Sequence, residues 1–255
     1  MKITMAGTGS ALGYAYFTNS CVVEVDGYNL LIDCGETTPH GLHALGYDLA
    51  KLDGILITHI HGDHVNGLEK LAWTFRYALG KKVDLIAESG ILARLWEHTL
   101  KGGLEEAEEG ILELSDLFHV MPIDNPELRP IDLTPKLRVE LISVQHITNK
   151  KSYSLLINER LYFSGDSRFD PDLLNDLVER RGVEVILHDC QLHDLAPVHA
   201  SLNQLLTLPE VMQERIWLMH YGDNMPEFLG KSGNMQFLIQ GRSYFLSDNG
   251  NFACI

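Results

Sequence analysis

The chain reads Thr58-His59-Ile60-His61-Gly62-Asp63-His64 directly after an apolar, β-branched run that begins at Gly54. Such a run is typical of a strand, so these polar residues lie where the strand ends. Two histidines separated by one residue can point the same way from extended backbone, and Gly62 lets the chain turn towards a second point. Because imidazole nitrogens and carboxylate oxygens are common zinc ligands, this loop predicts ligands for two metal ions.

Isolated histidines carry no such prediction. A single histidine is more often a surface or satisfied core residue, and we interpret His40, His43, His98 and His119 in that way. Three histidines and one aspartate within six residues are hard to explain by packing alone. The cluster of residues 59–64 is therefore the candidate functional site.

The H-x-H-x-D-H run resembles the signature of the metallo-β-lactamase-fold hydrolases. The resemblance covers nearly the whole chain, since Ala6–Ser10 resembles the first strand and loop of that fold and Leu31–Glu36 the strand before the motif. It implies an α/β fold, an αββα sandwich of two mixed sheets flanked by helices, in one domain over residues 1–255. The many short strands with intervening helices agree with a sandwich. The prolines between Pro122 and Pro135 predict a loop.

The later ligands of that family also occur in order. His146 and His220 each follow a predicted strand, and Asp166 follows another within Ser164-Gly165-Asp166-Ser167. By the resemblance, Asp166 bridges two metals, and Asp33 orients a ligand imidazole. The resemblance assigns His59, His61 and His146 to one metal and Asp63, His64 and His220 to the other. The implied cofactors are two divalent ions, zinc or alternatively manganese, which activate a shared water as the hydrolytic hydroxide.

Two short segments suggest a proton donor for the leaving oxygen. His188-Asp189-Cys190 and His199-Ala200-Ser201 resemble the paired elements of the ribonuclease Z branch of the same superfamily. That resemblance makes His199 the general acid and Asp189 its orienting partner, so we count Asp63, His199 and Asp189 as catalytic. Alternatively, His199 only caps a helix near Ser201. The branch usually has glutamate and alanine where this chain has Asp189 and Cys190, a departure that bears on proton donation.

A ribonuclease Z would process tRNA 3′ ends, but those enzymes carry a long basic arm between the ligands matched by His146 and Asp166. Only nineteen residues separate the two here, and a predicted hairpin fills them. The net charge of −15 would also repel a long polyanion. Short members without the arm resemble cyclic-nucleotide phosphodiesterases, including anti-Pycsar nucleases. We therefore favour a small phosphodiester, above all a cyclic nucleotide that is converted to a nucleoside monophosphate.

Three alternatives stay open. The first is an endoribonuclease of the ribonuclease Z type that acts on tRNA 3′ ends. The second is a lactone or thioester hydrolase with the same seven ligands, although carboxyl esters have less need of a donor pair such as Asp189 and His199. The third is a non-catalytic binding protein, which would not need a complete ligand set. A β-lactamase is disfavoured by Asp166 and by the apolar start of the chain, which is too short for a signal peptide.

Two groups of residues near the motifs could contact a substrate. Three cations, which could bind phosphate oxygens or only form a solvated turn, are Lys150, Lys151 and Arg168. Three aromatic residues of an early loop, which could stack on a base or pack in the core, are Tyr14, Tyr16 and Phe17. Stacking could also occur across an interface between two chains, and we expect a homodimer.

The remaining composition indicates the compartment. No apolar run approaches the roughly 20 residues of a membrane span, so we expect a cytoplasmic protein without a membrane partner. The cysteines are far apart and form no C-x-x-C pair, which predicts reduced thiols rather than disulfides. They are Cys21, Cys34, Cys190 and Cys254.

Overall fold

Two mixed β-sheets form the centre of the computed structural model, which describes residues 1–126, 129–193 and 197–255. The strands are β1 Lys2–Gly7, β2 Ser20–Val25, β3 Tyr28–Ile32, β4 Gly54–Leu56, β5 Asp84–Glu88, β6 His119–Ile123, β7 Ile131–Thr134, β8 Leu137–Ser143, β9 Tyr153–Ile157, β10 Leu161–Phe163, β11 Val185–Asp189, β12 Ile216–Met219, β13 Gln236–Phe237, β14 Ser243–Leu246 and β15 Phe252–Cys254. Within the described ranges one sheet has the order β15-β14-β1-β2-β3-β4-β5-β6, and the other has the order β13-β12-β11-β10-β9-β8-β7.

Short helices flank the two sheets, as the sequence predicted. The helices are α1 Thr38–Ala44, α2 Gly62–Val65, α3 Leu68–Trp73, α4 Ser89–Leu95, α5 Lys101–Leu104, α6 Leu114–Leu117, α7 Pro171–Asn175, α8 Leu202–Leu205 and α9 Glu210–Gln213. Helix α3 continues in wider π turns to Leu79 and ends at Gly80, whose φ of 60° is left-handed and suits glycine. Among the described residues, no helix combines the length and apolar character of a membrane span.

The core follows from the pleat of the strands. Successive side chains of β11 point to opposite faces, so Val185 and Leu187 join the main core and Ile186 joins a second core. Helices α7 and α8 contribute Leu174 and Leu205 to that second core. Because β11 is buried on both faces, it reads as a continuous apolar run in the sequence.

The Pro122–Pro135 loop prediction is wrong in part, because the described residues there include β6 and β7. Both are edge strands, at the end of one sheet each. Pro122 lacks a backbone N–H, and an edge strand tolerates that loss because one of its sides needs no partner.

The strand ends explain where the polar residues meet. Strands β10, β11 and β12 run parallel, and so do β3 and β4. Their carboxyl ends therefore lie at a common edge within each sheet. The residues that follow β3, β4, β8, β10 and β12 contain Asp33 and all seven candidate ligands, while β11 ends at Asp189 and leads to His199.

Candidate active site

The first predicted group of ligands converges on one point. Nε2 of His59 lies 3.0 Å from Nδ1 of His61, which lies 3.2 Å from Nε2 of His146. Oδ2 of Asp166 lies 3.7 Å from Nε2 of both His59 and His146. Four donor atoms from three separate segments thus face each other.

The second group converges beside the first. Nε2 of His64 lies 3.3 Å from Oδ2 of Asp63 and 3.3 Å from Oδ1 of Asp166. Nε2 of His220 lies 3.2 Å and 3.3 Å from the same two oxygens. Asp166 therefore presents one carboxylate oxygen to each group, which is the arrangement expected of a bridging ligand.

The geometry of both groups fits a divalent metal. Four ligands at 2.0–2.2 Å in a tetrahedron stand roughly 3.3–3.6 Å from one another, close to the separations found here. Two buried atoms, Nε2 of His64 and Oδ1 of Asp166, have no hydrogen-bond partner among the described residues. Buried polar atoms without partners are costly, and a cation at this point would satisfy both.

The two groups differ in their electrostatics. Burial, together with the neighbouring His146 and Lys150, lowers the pKa of His61 to about 4. Burial and the nearby His64 also hold the pKa of His59 well below its usual value. These imidazoles are therefore neutral, as metal ligands must be.

The second group holds more negative charge. Burial alone would lower the pKa of His64 and His220, but the carboxylates of Asp166 and Asp63 raise both. The same imidazoles keep the pKa of both carboxyls low despite burial. A site that stabilises an imidazolium in this way would stabilise a bound cation by the same attraction.

Hydrogen bonds orient the ligand rings. Nδ1 of His64 donates to Oδ2 of Asp33 at 2.8 Å, as expected, and Asp33 also accepts from the backbone N–H and hydroxyl of Thr58. Nδ1 of His146 donates to the carbonyl oxygen of Val198 at 2.8 Å. Both bonds leave Nε2 of the ring free for a metal.

The ligand loop is also held by close backbone packing. The backbone N–H of Cys34 donates to the carbonyl oxygen of His64 at 2.7 Å, and that of Gly67 donates to Cys34 at 2.9 Å. A Cβ at Gly35 would overlap the carbonyl oxygen of Asp63, and one at Gly67 would overlap that of Gly35. Only glycine fits at these two contacts, which fix the C-terminal end of the ligand segment, while Asp33 holds its start through Thr58.

His199 lies against the ligand groups. Its Nδ1 donates to Oδ2 of Asp189 at 2.9 Å, and its ring stacks on that of His220 with centroids 5.0 Å apart. It borders a cavity of about 430 Å³. The helix-cap alternative is wrong, because the Ser201 hydroxyl accepts from the backbone N–H of Gln204 and caps α8. His199 is thus free to face a substrate.

The three candidate cations separate in the structure. Nζ of Lys150 lies 3.3 Å from Nε2 of His61, while Lys151 pairs with Glu88 at 2.7 Å. Nε of Arg168 donates to the carbonyl oxygen of His146 at 3.2 Å. Of the three, Lys150 therefore reaches the edge of the site. It borders a cavity of about 180 Å³ together with Arg94, a residue that nothing in the sequence of helix α4 marks as part of a site.

The three aromatic residues also separate. Tyr16 packs edge-on against Tyr221 with centroids 5.1 Å apart, so the core-packing alternative holds there. Phe17 is half-buried, whereas Tyr14 is 98% exposed. The Asp223 carboxylate fixes this loop by accepting from the backbone N–H of Tyr14 at 2.9 Å, a contact that sequence spacing could not show. Of the three rings, that of Tyr14 is therefore the most accessible for stacking.

The fold and the His/Asp cluster define a metallo-β-lactamase-fold protein. The metallo-β-lactamase-fold protein YhfI from Bacillus subtilis matches with a TM-score of 0.73 at 16% identity, over 96% of this chain and 99% of that chain. A new diphosphatase from the PhnP family matches with a TM-score of 0.75 at 20% identity, over 96% of this chain and 98% of that chain.

Sequence comparison identifies the family within that fold. The chain belongs to the anti-Pycsar protein Apyc1 family, whose model matches residues 1–244. The anti-Pycsar protein Apyc1 of Paenibacillus xerothermodurans is 46% identical over 248 residues, which cover 97% of this chain and 98% of the relative. The predicted resemblance is confirmed at the level of family and fold.

Proposed function

We propose that the protein is a binuclear metal-dependent phosphodiesterase that hydrolyses cyclic nucleotides to nucleoside monophosphates. The observation that carries this proposal is the hydrogen-bonded pair of His199 and Asp189 beside two adjoining ligand groups. A phosphodiester expels its alkoxide in the rate-limiting step and gains much from a proton donor, whereas many carboxyl esters react without one. Membership of the anti-Pycsar family supports the same substrate class.

We assign each side chain a role on this basis. Two zinc ions, or alternatively manganese, would activate water and neutralise charge on the phosphate. His199 donates the proton to the leaving oxygen, and Asp189 holds its ring through Nδ1. Asp63 is a ligand that borders the reacting centre. The proposed ligands are His59, His61 and His146 for one ion, Asp63, His64 and His220 for the other, and Asp166 for both.

The surroundings of the site suit a small substrate. The cavity of about 430 Å³ beside His199 can take a nucleoside, and Lys150 at the opposite side can approach a phosphate oxygen. Strands β9 and β10 occupy the segment between His146 and Asp166, which leaves no basic arm for an RNA. We further propose one domain over residues 1–255 and a cytoplasmic homodimer. The exposed Leu12 and Tyr14 beside the cavity support the dimer.

The test is a substrate panel on metal-depleted protein that is reloaded with zinc or with manganese. The panel contains purine and pyrimidine cyclic nucleotides, a nitrophenyl phosphodiester, a lactone and a precursor tRNA. We expect turnover of cyclic nucleotides by reloaded protein and none by depleted protein. Hydrolysis of the lactone alone, cleavage of the tRNA alone or full activity after depletion would each contradict the proposal.

A further inference from the structure

Asp189 lies between two imidazoles at the end of β11. Its Oδ2 accepts from Nδ1 of His199 at 2.9 Å, and its Oδ1 lies 3.0 Å from Nδ1 of His188. Nδ1 of His188 also lies 2.8 Å from the carbonyl oxygen of Asp189. Both of these oxygens can only accept, so Nδ1 of His188 carries a proton and donates it.

The two histidines lie on opposite sides of the second sheet. Because neighbouring side chains of a strand alternate, His188 faces the side of α7, whereas Asp189 faces the ligand groups. The His188 side chain is 2% exposed and borders a separate cavity of about 230 Å³, with Leu173 and Tyr162 in its wall. Its contacts with other polar groups of the described residues are both with Asp189.

His188 makes the shortest side-chain contact with Oδ1 of Asp189. The hydroxyls of Ser164 and Ser167 lie 3.4 Å from Oδ1, against 3.0 Å for the His188 ring. Burial alone would raise the pKa of Asp189, but the hydrogen bonds from His188 and His199 lower it. The buried carboxylate therefore stays ionised with one oxygen held from each side.

We propose that His188 is a positioning residue for the proton donor, which fixes the Asp189 carboxylate so that its other oxygen orients His199. The inference rests on the proposed function, in which His199 protonates the leaving oxygen. His188 does not conduct a proton, because each oxygen of the Asp189 carboxylate accepts a hydrogen bond and the carboxylate only orients its partners. It acts through the geometry and charge of its neighbour.

The test compares substrates that differ in their need for a proton. A cyclic nucleotide expels an alkoxide, while a nitrophenyl phosphodiester expels a stable phenolate. The ratio of kcat on the two substrates, measured in one preparation, does not depend on how much protein is folded. We define the ratio as kcat on the cyclic nucleotide divided by kcat on the nitrophenyl phosphodiester. We expect His188→Leu to lower this ratio by about 10- to 100-fold, the usual cost of losing an orienting partner.

Conservative variants separate orientation from packing. His188→Asn keeps an N–H donor near the position of Nδ1 and should restore most of the ratio, whereas His188→Gln moves the donor and should not. Leu173→Ala is the matched control, because it changes the same cavity without contacting Asp189, and it should keep the wild-type ratio. Should His188→Leu fail to fold, the contrast between the Asn and Gln variants makes the same test.

A second arm separates this inference from the proposed function. In a His199→Ala background, His188→Leu should cause no further fall in the ratio. A fall with His199→Ala but none with His188→Leu or His188→Gln would overturn the role of His188 alone. Equal losses on both substrates would show that His188 is only structural. A wild-type ratio in His199→Ala would instead overturn the acid assignment.

Discussion

The two sheets contribute to the site in different ways. The first sheet supplies four of the proposed ligands from the single loop of residues 59–64, with Asp33 hydrogen-bonded behind them. The second sheet supplies the other proposed ligands from three separate strand ends and also the pair of Asp189 and His199. On the proposed function, the first side would therefore serve metal binding alone, whereas the second side would couple metal binding to proton donation. Substitutions on the two sides should separate these two tasks.

The largest expected effect follows from removing the residue that joins both groups. Asp166→Ala deletes an oxygen from each group, so we expect loss of both metals and of measurable turnover. Elemental analysis of purified protein, together with the cyclic-nucleotide assay, measures the two losses. Asp172→Ala, at an exposed position of α7, is the control and should bind metal normally. Retention of metal and activity in Asp166→Ala would disprove the bridging assignment.

A smaller effect should isolate the proton donor on the second sheet. His199→Ala removes no proposed ligand, so both metals should remain while kcat on cyclic nucleotides falls roughly 10²- to 10⁴-fold. Metal content and kcat, determined on the same sample, check this separation. If the variant loses its metals, or hydrolyses phosphodiesters like the wild type, the division of tasks between the sheets is wrong.

The smallest effect should come from Asp33, which supports the ligand loop of the first sheet without being a proposed ligand. Asp33→Asn leaves one accepting oxygen for the donors of Thr58 and His64, so the bond from Nδ1 of His64 is weakened or lost. We expect metal affinity to fall about 10- to 100-fold. The backbone tolerates the exchange because Asp33 has a φ of 58°, a left-handed conformation that asparagine adopts readily. Titration with metal against a competing chelator measures the change. Unchanged affinity would mean that the Thr58 contacts alone position the loop.

The difference between the two sheets also explains which parts of the site could be predicted from the sequence. The loop of residues 59–64 is recognisable in the sequence because its candidate ligands lie within six residues. His146, Asp166 and His220 follow in the same order as in the family, which extends the resemblance over the αββα fold. Partners chosen by tertiary packing carry no local signal. Spacing could not show that Lys151 pairs with Glu88. The strands around Pro122 were missed because proline normally marks a loop and is tolerated only at a sheet edge.

The close backbone contact that glycine permits at position 35 bears on how the protein responds to metal removal. Since backbone contacts hold the ligand loop, we expect its shape not to depend on a bound ion, unlike that of a zinc finger, which unfolds when the ion is removed. A chelator should then leave a folded but inactive chain. Its melting temperature would rise smoothly with added ion through mass action, and reactivation would proceed without a refolding delay.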